Sequence, residues 1–167
     1  PVALLRAPDG IGGEQFFQKH SEGRALPGVT LLDAALDPGH APLLEIGSEA
    51  ALMGVVQMNT VELHTWNATH DKIERPDRFT LDLDPGEGVA WPQVQEAAQL
   101  VRTLLTELGL VPFLKTSGGK GLHVVTPIKR LYDWDTVKAF SKQLVEHLAH
   151  LMPDRFTAIS GPKNRVG

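Results

Sequence analysis

The sequence predicts an α+β fold, an α/β sandwich of mixed or antiparallel sheets with flanking helices. Three observations carry this. The second half reads strand, helix, hairpin, helix, strand, which layers helices on a sheet. Two segments, 92–108 and 135–152, repeat apolar residues at helical spacing. A glycine turn joins two strands directly, so the sheet cannot be wholly parallel.

The elements follow in order. Residues 1–7, with Val2-Ala3-Leu4-Leu5, read as a strand closed by the Pro8-Asp9-Gly10 turn. Glu14 to His20 alternates weakly around Phe16 and Phe17 and suggests a second strand. Residues 21–42 are rich in Gly, Pro, Asp and Ala and read as loop with short irregular pieces. Leu43 to Ile46 reads as a strand, and Ser48 caps a helix over Glu49–Asn59. Val61–Trp66 is a strand by its β-branched and aromatic content. Residues 67–77 are a polar connection. Arg78–Asp84 is a strand stopped by Pro85-Gly86.

Pro92 suits a first helical turn; Val94, Ala97, Val101, Leu104 and Leu108 form one face, and Gly109 ends the helix. Val111–Thr116 and Leu122–Ile128 form the hairpin. The second helix buries Val137, Phe140, Leu144, Leu148 and Leu151 and stops at Pro153. Phe156–Ile159 reads as a last strand.

Composition bounds the class. The 167 residues suit one compact domain with a real core. Hydrophobic residues are 42% and charged residues 22%, which excludes disordered and fibrous classes. No apolar run nears the roughly 20 residues of a membrane span. Without cysteine, neither a disulfide framework nor a thiolate metal site is possible. The net charge of -4 offers no basic footprint, so any nucleic-acid role has to come from a local site.

Asp82 and Asp84 lie two apart on a strand and so share a face, with Leu81 and Leu83 turned to the core. Adjacent carboxylates repel unless a cation lies between them. Oxygen-only ligands suit Mg²⁺ or Mn²⁺, which pair with one or two carboxylates and substrate phosphates. A solvated strand end before a turn also fits the pair. Lys115-Thr116-Ser117-Gly118-Gly119-Lys120-Gly121-Leu122-His123 follows across one helix. Its glycines permit positive φ, and successive N–H groups form an anion nest. Ser117, Lys115, Lys120 and His123 add phosphate partners. This loop joins two strands, unlike a Walker A loop; alone it also fits a flexible hairpin tip. Glu62, His64 and Trp66 share a strand face. Phe16-Phe17-Gln18-Lys19 sets aromatics beside a cation, a base-stacking pattern that also fits a half-buried pair. His20, His40, His70, His147 and His150 have no supporting context.

Asp82-Leu83-Asp84-Pro85-Gly86-Glu87-Gly88-Val89, a helix, then Thr116-Ser117-Gly118-Gly119-Lys120-Gly121-Leu122-His123 resembles the polymerase domain of bacterial ligase D, of the archaeo-eukaryotic primase superfamily. Pro1-Val2-Ala3-Leu4, Phe16 to Lys19, Glu62-Leu63-His64 and Pro153 extend the resemblance over essentially the whole chain.

The resemblance implies an RRM-like primase-polymerase core in a single domain over 1–167, shortened at both ends relative to the family. It implies a template-directed nucleotidyltransferase of non-homologous end joining that uses Mg²⁺ or Mn²⁺ and takes ribo- or deoxyribonucleoside triphosphates. Asp82 and Asp84 would bind the metals, and with His123 form the catalytic set. Ser117, Gly118, Gly119, Lys120, His123 and His64 would hold the nucleotide; Arg6, Phe17 and Lys19 would touch nucleic acid. The implied partners are double-strand-break ends, ligase and nuclease domains in the same parent chain, and the end-binding Ku protein, with no membrane, in a cytoplasmic, nucleoid-associated setting. The family's third metal-binding Asp falls past Lys163–Gly167. The alternative is therefore a fragment that binds nucleotide or DNA without turnover.

Overall fold

The structure is a computed structural model and describes residues 1–22, 26–116 and 118–157. The chain forms two compact units, Pro1–Ile73 and Glu74–Gly167.

The first unit is a five-stranded antiparallel sheet with one helix. Strand β1 (Val2–Arg6) pairs along its length with β5 (Thr60–Thr65). Its other edge is divided between β2 (Phe16–Gln18) and β4 (Leu44–Glu45), and β3 (Thr30–Leu31) completes the sheet beyond β4. Helix α1 (Glu49–Gln57) starts where the Ser48 hydroxyl accepts the Ala51 N–H at 3.1 Å. It ends before Asn59, whose φ of 60° turns the chain into β5. The core is Val2, Leu4, Leu26, Leu44 and Val55; burying each such side chain contributes about 1.5–3 kcal/mol.

The second unit is a three-stranded antiparallel sheet in the order β6 (Arg78–Leu83), β8 (Leu122–Pro127), β7 (Phe113–Thr116). Helices α2 (Trp91–Glu107) and α3 (Trp134–Leu151) supply the rest of its core. Phe79, Leu81 and Val124 from the sheet pack with Val101 and Leu105 of α2 and Val137, Leu144 and Leu148 of α3. Asp133 caps α3 by accepting the Thr136 N–H at 2.9 Å.

The expected α+β class and the central hairpin hold, and several local expectations change. The buried stripe of α2 is Val94, Ala98, Val101 and Leu105, one step round from the expected Ala97, Leu104 and Leu108. Helical side chains lean toward the N-terminus, so a given patch is covered from about one position further on; Leu108 already lies past the last turn. In α3, Phe140 stays partly exposed on the rim, edge-on to Phe79 at 5.8 Å, and Leu151 is exposed in the final turn. Strand β2 is shorter than Glu14–His20, since only 16–18 find partners on β1, although His20 forms an isolated bridge with Leu43. The 21–42 loop contains β3 and a 3₁₀ turn over Ala34–Leu36. Phe156 and Thr157 form no strand. Ala158, Ile159, Ser117 and the Lys163–Gly167 segment lie outside the described residues.

Candidate nucleotide and metal site

In the second unit, strict alternation along β6 sends Phe79 and Leu81 into the core and Asp82 to the opposite, open face. The register then builds a row across three strands. Asp82 stands opposite His123 on β8, and His123 stands opposite Lys115 on β7. His123 Nε2 lies 3.4 Å from Asp82 Oδ1. A carboxylate, an imidazole and an ammonium thus stand side by side, because directly paired residues on antiparallel strands share a face.

Asp84 lies one residue beyond β6, where Pro85-Gly86 turns the chain away. The glycine hairpin closes onto it. A β-carbon on buried Gly121 would meet the Leu83 carbonyl oxygen at 2.5 Å and Asp84 Oδ1 at 3.2 Å. Only glycine permits that approach without displacing the end of the Asp strand. At the tip, Gly118 has φ +86°, and Gly118, Gly119 and Lys120 are exposed. The hairpin therefore holds an exposed cationic tip while its base is packed against the carboxylate strand.

A cleft of about 420 Å³ runs from Asp82 and Asp84 past Gly86 to Gln93 and Ala97 on α2 and to Arg155. Arg155 pairs with Glu96. Neither Arg155 nor the Gly121 contact was visible in the linear motifs; both depend on which loops the sheet and α2 bring together.

Asp82 and Asp84 fit a hard divalent cation by their chemistry. They offer oxygen donors only, at an exposed strand end with room beside them. The expected metal ligands, His123, Lys120 and the glycines are all brought into one region of the second unit.

His64, Phe17, Arg6 and Lys19 belong to the first unit. His64 Nε2 and Glu62 Oε2 are 2.7 Å apart on β5. Phe17 meets His64 edge-on at 5.2 Å between ring centres. Residues Phe17 and Glu62 both stand opposite Leu5, and His64 opposite Ala3, so one face of this sheet carries all three. Lys19 is exposed. Arg6 is partly committed within the protein. Its Nε donates to the Met58 carbonyl at 3.0 Å, its Nη1 donates to Gln18 Oε1 at 2.8 Å, and its guanidinium lies 5.4 Å over Phe16.

Comparison with known proteins gives a consistent picture. The family model for "LigD, primase-polymerase domain" matches residues 1–167. The chain is 59% identical over its full length to the multifunctional non-homologous end joining protein LigD of Pseudomonas aeruginosa, and covers 20% of that protein. It is 31% identical to the corresponding Mycobacterium tuberculosis protein, again over its full length and 23% of the relative's. The chain thus spans about a fifth of the length of these relatives. Among solved structures, the polymerase domain of Mycobacterium tuberculosis ligase D in complex with DNA superposes with a TM-score of 0.81 at 28% identity, over 100% of this chain and 61% of that one. Among the described residues, no helix is long and apolar enough to cross a membrane.

Proposed function

The chain belongs to the LigD primase-polymerase domain family, and from that premise we propose that it is a template-directed nucleotidyltransferase acting at DNA double-strand-break ends in non-homologous end joining. The observation that carries this is the second unit's open face, where the Asp82–His123–Lys115 row meets a glycine hairpin packed onto Asp84.

Asp82 and Asp84 hold Mg²⁺ or Mn²⁺. When bound, the ions supply Lewis-acid stabilisation to the attacking and leaving oxygens of phosphoryl transfer. The chain's own groups bind and orient. Backbone N–H groups at Gly118 and Gly119, the Lys120 ammonium and Ser117 hold a ribo- or deoxyribonucleoside triphosphate. His123 faces the same phosphates from the sheet. By the family resemblance His64, paired with Glu62 in the first unit, is a nucleotide contact. Phe17 stacks on a base, and Lys19 contacts nucleic acid together with the donors of Arg6 not spent on Gln18 and Met58. The partners are break ends, ligase and nuclease domains in the same parent protein, and Ku, in the bacterial cytoplasm at the nucleoid.

Primer extension with Mn²⁺ on a DNA end with a 3′ overhang tests the reading. Asp82→Ala and Asp84→Ala should each lower the rate by at least about 100-fold, since each removes a ligand whose ion is worth several kcal/mol in the transition state. Folding should be largely unaffected, because both aspartates are exposed at the strand end. Extension by either variant at near the unsubstituted rate overturns the metal assignment. Nucleotide binding without extension by the unsubstituted chain favours a binding role without turnover.

A further inference from the structure

In the first unit three side chains with no part in the proposed polymerase site converge on one point. His20 Nε2 lies 2.8 Å from Asp37 Oδ2, and His40 Nδ1 lies 3.1 Å from Asp37 Oδ1. The two imidazoles stack, with centres 5.1 Å apart and planes 11° from parallel, so each presents one nitrogen to a different oxygen of the same carboxylate. The three ligand atoms all lie within 4.8 Å of one another, and this is the one such cluster among the described residues.

The backbone sets this geometry. His20 is held at the end of the β2 segment by its bridge to Leu43, and its carbonyl accepts the buried Gln18 side-chain amide at 3.1 Å. Asp37 closes the 3₁₀ turn that Asp33 caps. His40 follows after Gly39, whose φ of +89° reverses the chain, and the His40 N–H returns to the Asp37 carbonyl at 3.2 Å. Hydrogen bonding from His20, more than any other cause, keeps the Asp37 carboxyl below the ordinary carboxylate range.

We propose that His20, Asp37 and His40 form a binding site for a borderline divalent transition ion of the Zn²⁺ class, which clips the 32–43 excursion to the end of β2. Two imidazole nitrogens and one carboxylate oxygen are the donor set of three-ligand zinc centres, which leave a fourth position to water. His40 is the most exposed of the three, with 61% of its side chain accessible, so water reaches that position. Ligand atoms about 2.0–2.1 Å from tetrahedral Zn²⁺ stand roughly 3.3 Å apart. In the structure the two nitrogens meet different oxygens of Asp37, at 2.8 and 3.1 Å, and one ligand atom from each residue lies within 4.8 Å of the others, so binding requires the imidazoles to turn from these hydrogen bonds toward a shared ion. Imidazole donors disfavour Mg²⁺, so this site is distinguished from one that takes Mg²⁺ through carboxylates alone. The proposal does not depend on the polymerase reading.

Calorimetric titration of Zn²⁺ into the tag-free 167-residue chain tests it, with thermal unfolding read in parallel and Co²⁺ absorption reporting geometry. One Zn²⁺ should bind per chain and raise the unfolding midpoint. Both effects should persist in the Asp82→Asn/Asp84→Asn double variant, which removes the other carboxylate pair. His40→Gln should weaken binding by at least about 100-fold, beyond the ~10–100-fold typical of losing an outer-shell partner, and should abolish the thermal shift. Since His40 is exposed, this variant keeps the fold even if His20→Gln does not. No Zn²⁺ uptake, affinity unchanged in His40→Gln, or loss of binding in the Asp82→Asn/Asp84→Asn variant overturns the proposal.

Discussion

In the first unit one edge of β1 is shared between two short strands, and side chains tie these strands and their surroundings across long sequence separations: Arg6 to Gln18, His20 to Asp37, His70 to Glu45. In the second unit, strands of four to six residues form one continuous ladder with a helix before and after the hairpin. Both sheets bury one face and leave polar groups on the other. The second builds its open face by register alone, so the spacing of Asp82 and Asp84 already dictates the row they join. The first builds its polar clusters from residues 17 and 25 positions apart, where no local spacing announces them.

The largest expected effects probe whether each unit is truly close-packed. Leu4 and Leu105 are both fully buried, one in each core. Leu4→Ala and Leu105→Ala should each cost about 2–5 kcal/mol in urea unfolding. A cost well under that for either would mean its unit tolerates cavities that the other does not.

A smaller effect separates packing from chemistry in the second unit. Gly121→Ala forces a β-carbon onto the Leu83 carbonyl and should cost about 1–3 kcal/mol in thermal unfolding, as overpacking does. It should also weaken triphosphate binding in a fluorescence titration, because the displaced strand end carries Asp84. Gly119→Ala, at the exposed tip, should be milder in stability. Equal stability losses would show that the close approach at Gly121 is not what ties the hairpin to the strand.

The pattern of what was readable follows the same contrast. Six-residue alternation on β6 and β8 and the capped helices were visible as periodicity, and so were Asp82, Asp84 and the glycine hairpin. The α2 stripe was off by one step because side-chain lean is invisible in a wheel of positions. Strand β3 went unseen because two residues carry no period. The pairing of His64 with Glu62 followed from strand spacing, whereas its contact with Phe17 did not, since those residues lie across β1 from each other. His20 and Asp37 looked unrelated because 17 positions separate them and only the fold of the loop before β4 brings them together.

The smallest effects compare the two helix caps. Ser48→Ala should cost about 1 kcal/mol, the usual worth of a hydroxyl cap, with no dependence on acid. Hydrogen bonding from Thr136, by its side chain first and its backbone N–H second, holds the Asp133 carboxyl below the ordinary range. A carboxyl whose folded value is lowered contributes stability above its unfolded value and loses it as pH falls through the folded one. The α3 cap should therefore weaken only below about pH 4. Amide exchange along α3 in wild type and Asp133→Asn checks this: the two should converge on acidification, and a gap that persists at low pH would contradict it.

The central claim is that the carboxylates at the end of β6 hold the divalent ion used with the triphosphate. Electron paramagnetic resonance of Mn²⁺, titrated with a nucleoside triphosphate into the chain and into Asp82→Asn/Asp84→Asn, tests it most directly. The account predicts that bound Mn²⁺ in the unsubstituted chain rises on adding triphosphate, and that the double variant loses this population while keeping its circular dichroism spectrum. An unchanged Mn²⁺–triphosphate population in the folded double variant would place the ion elsewhere and contradict the account.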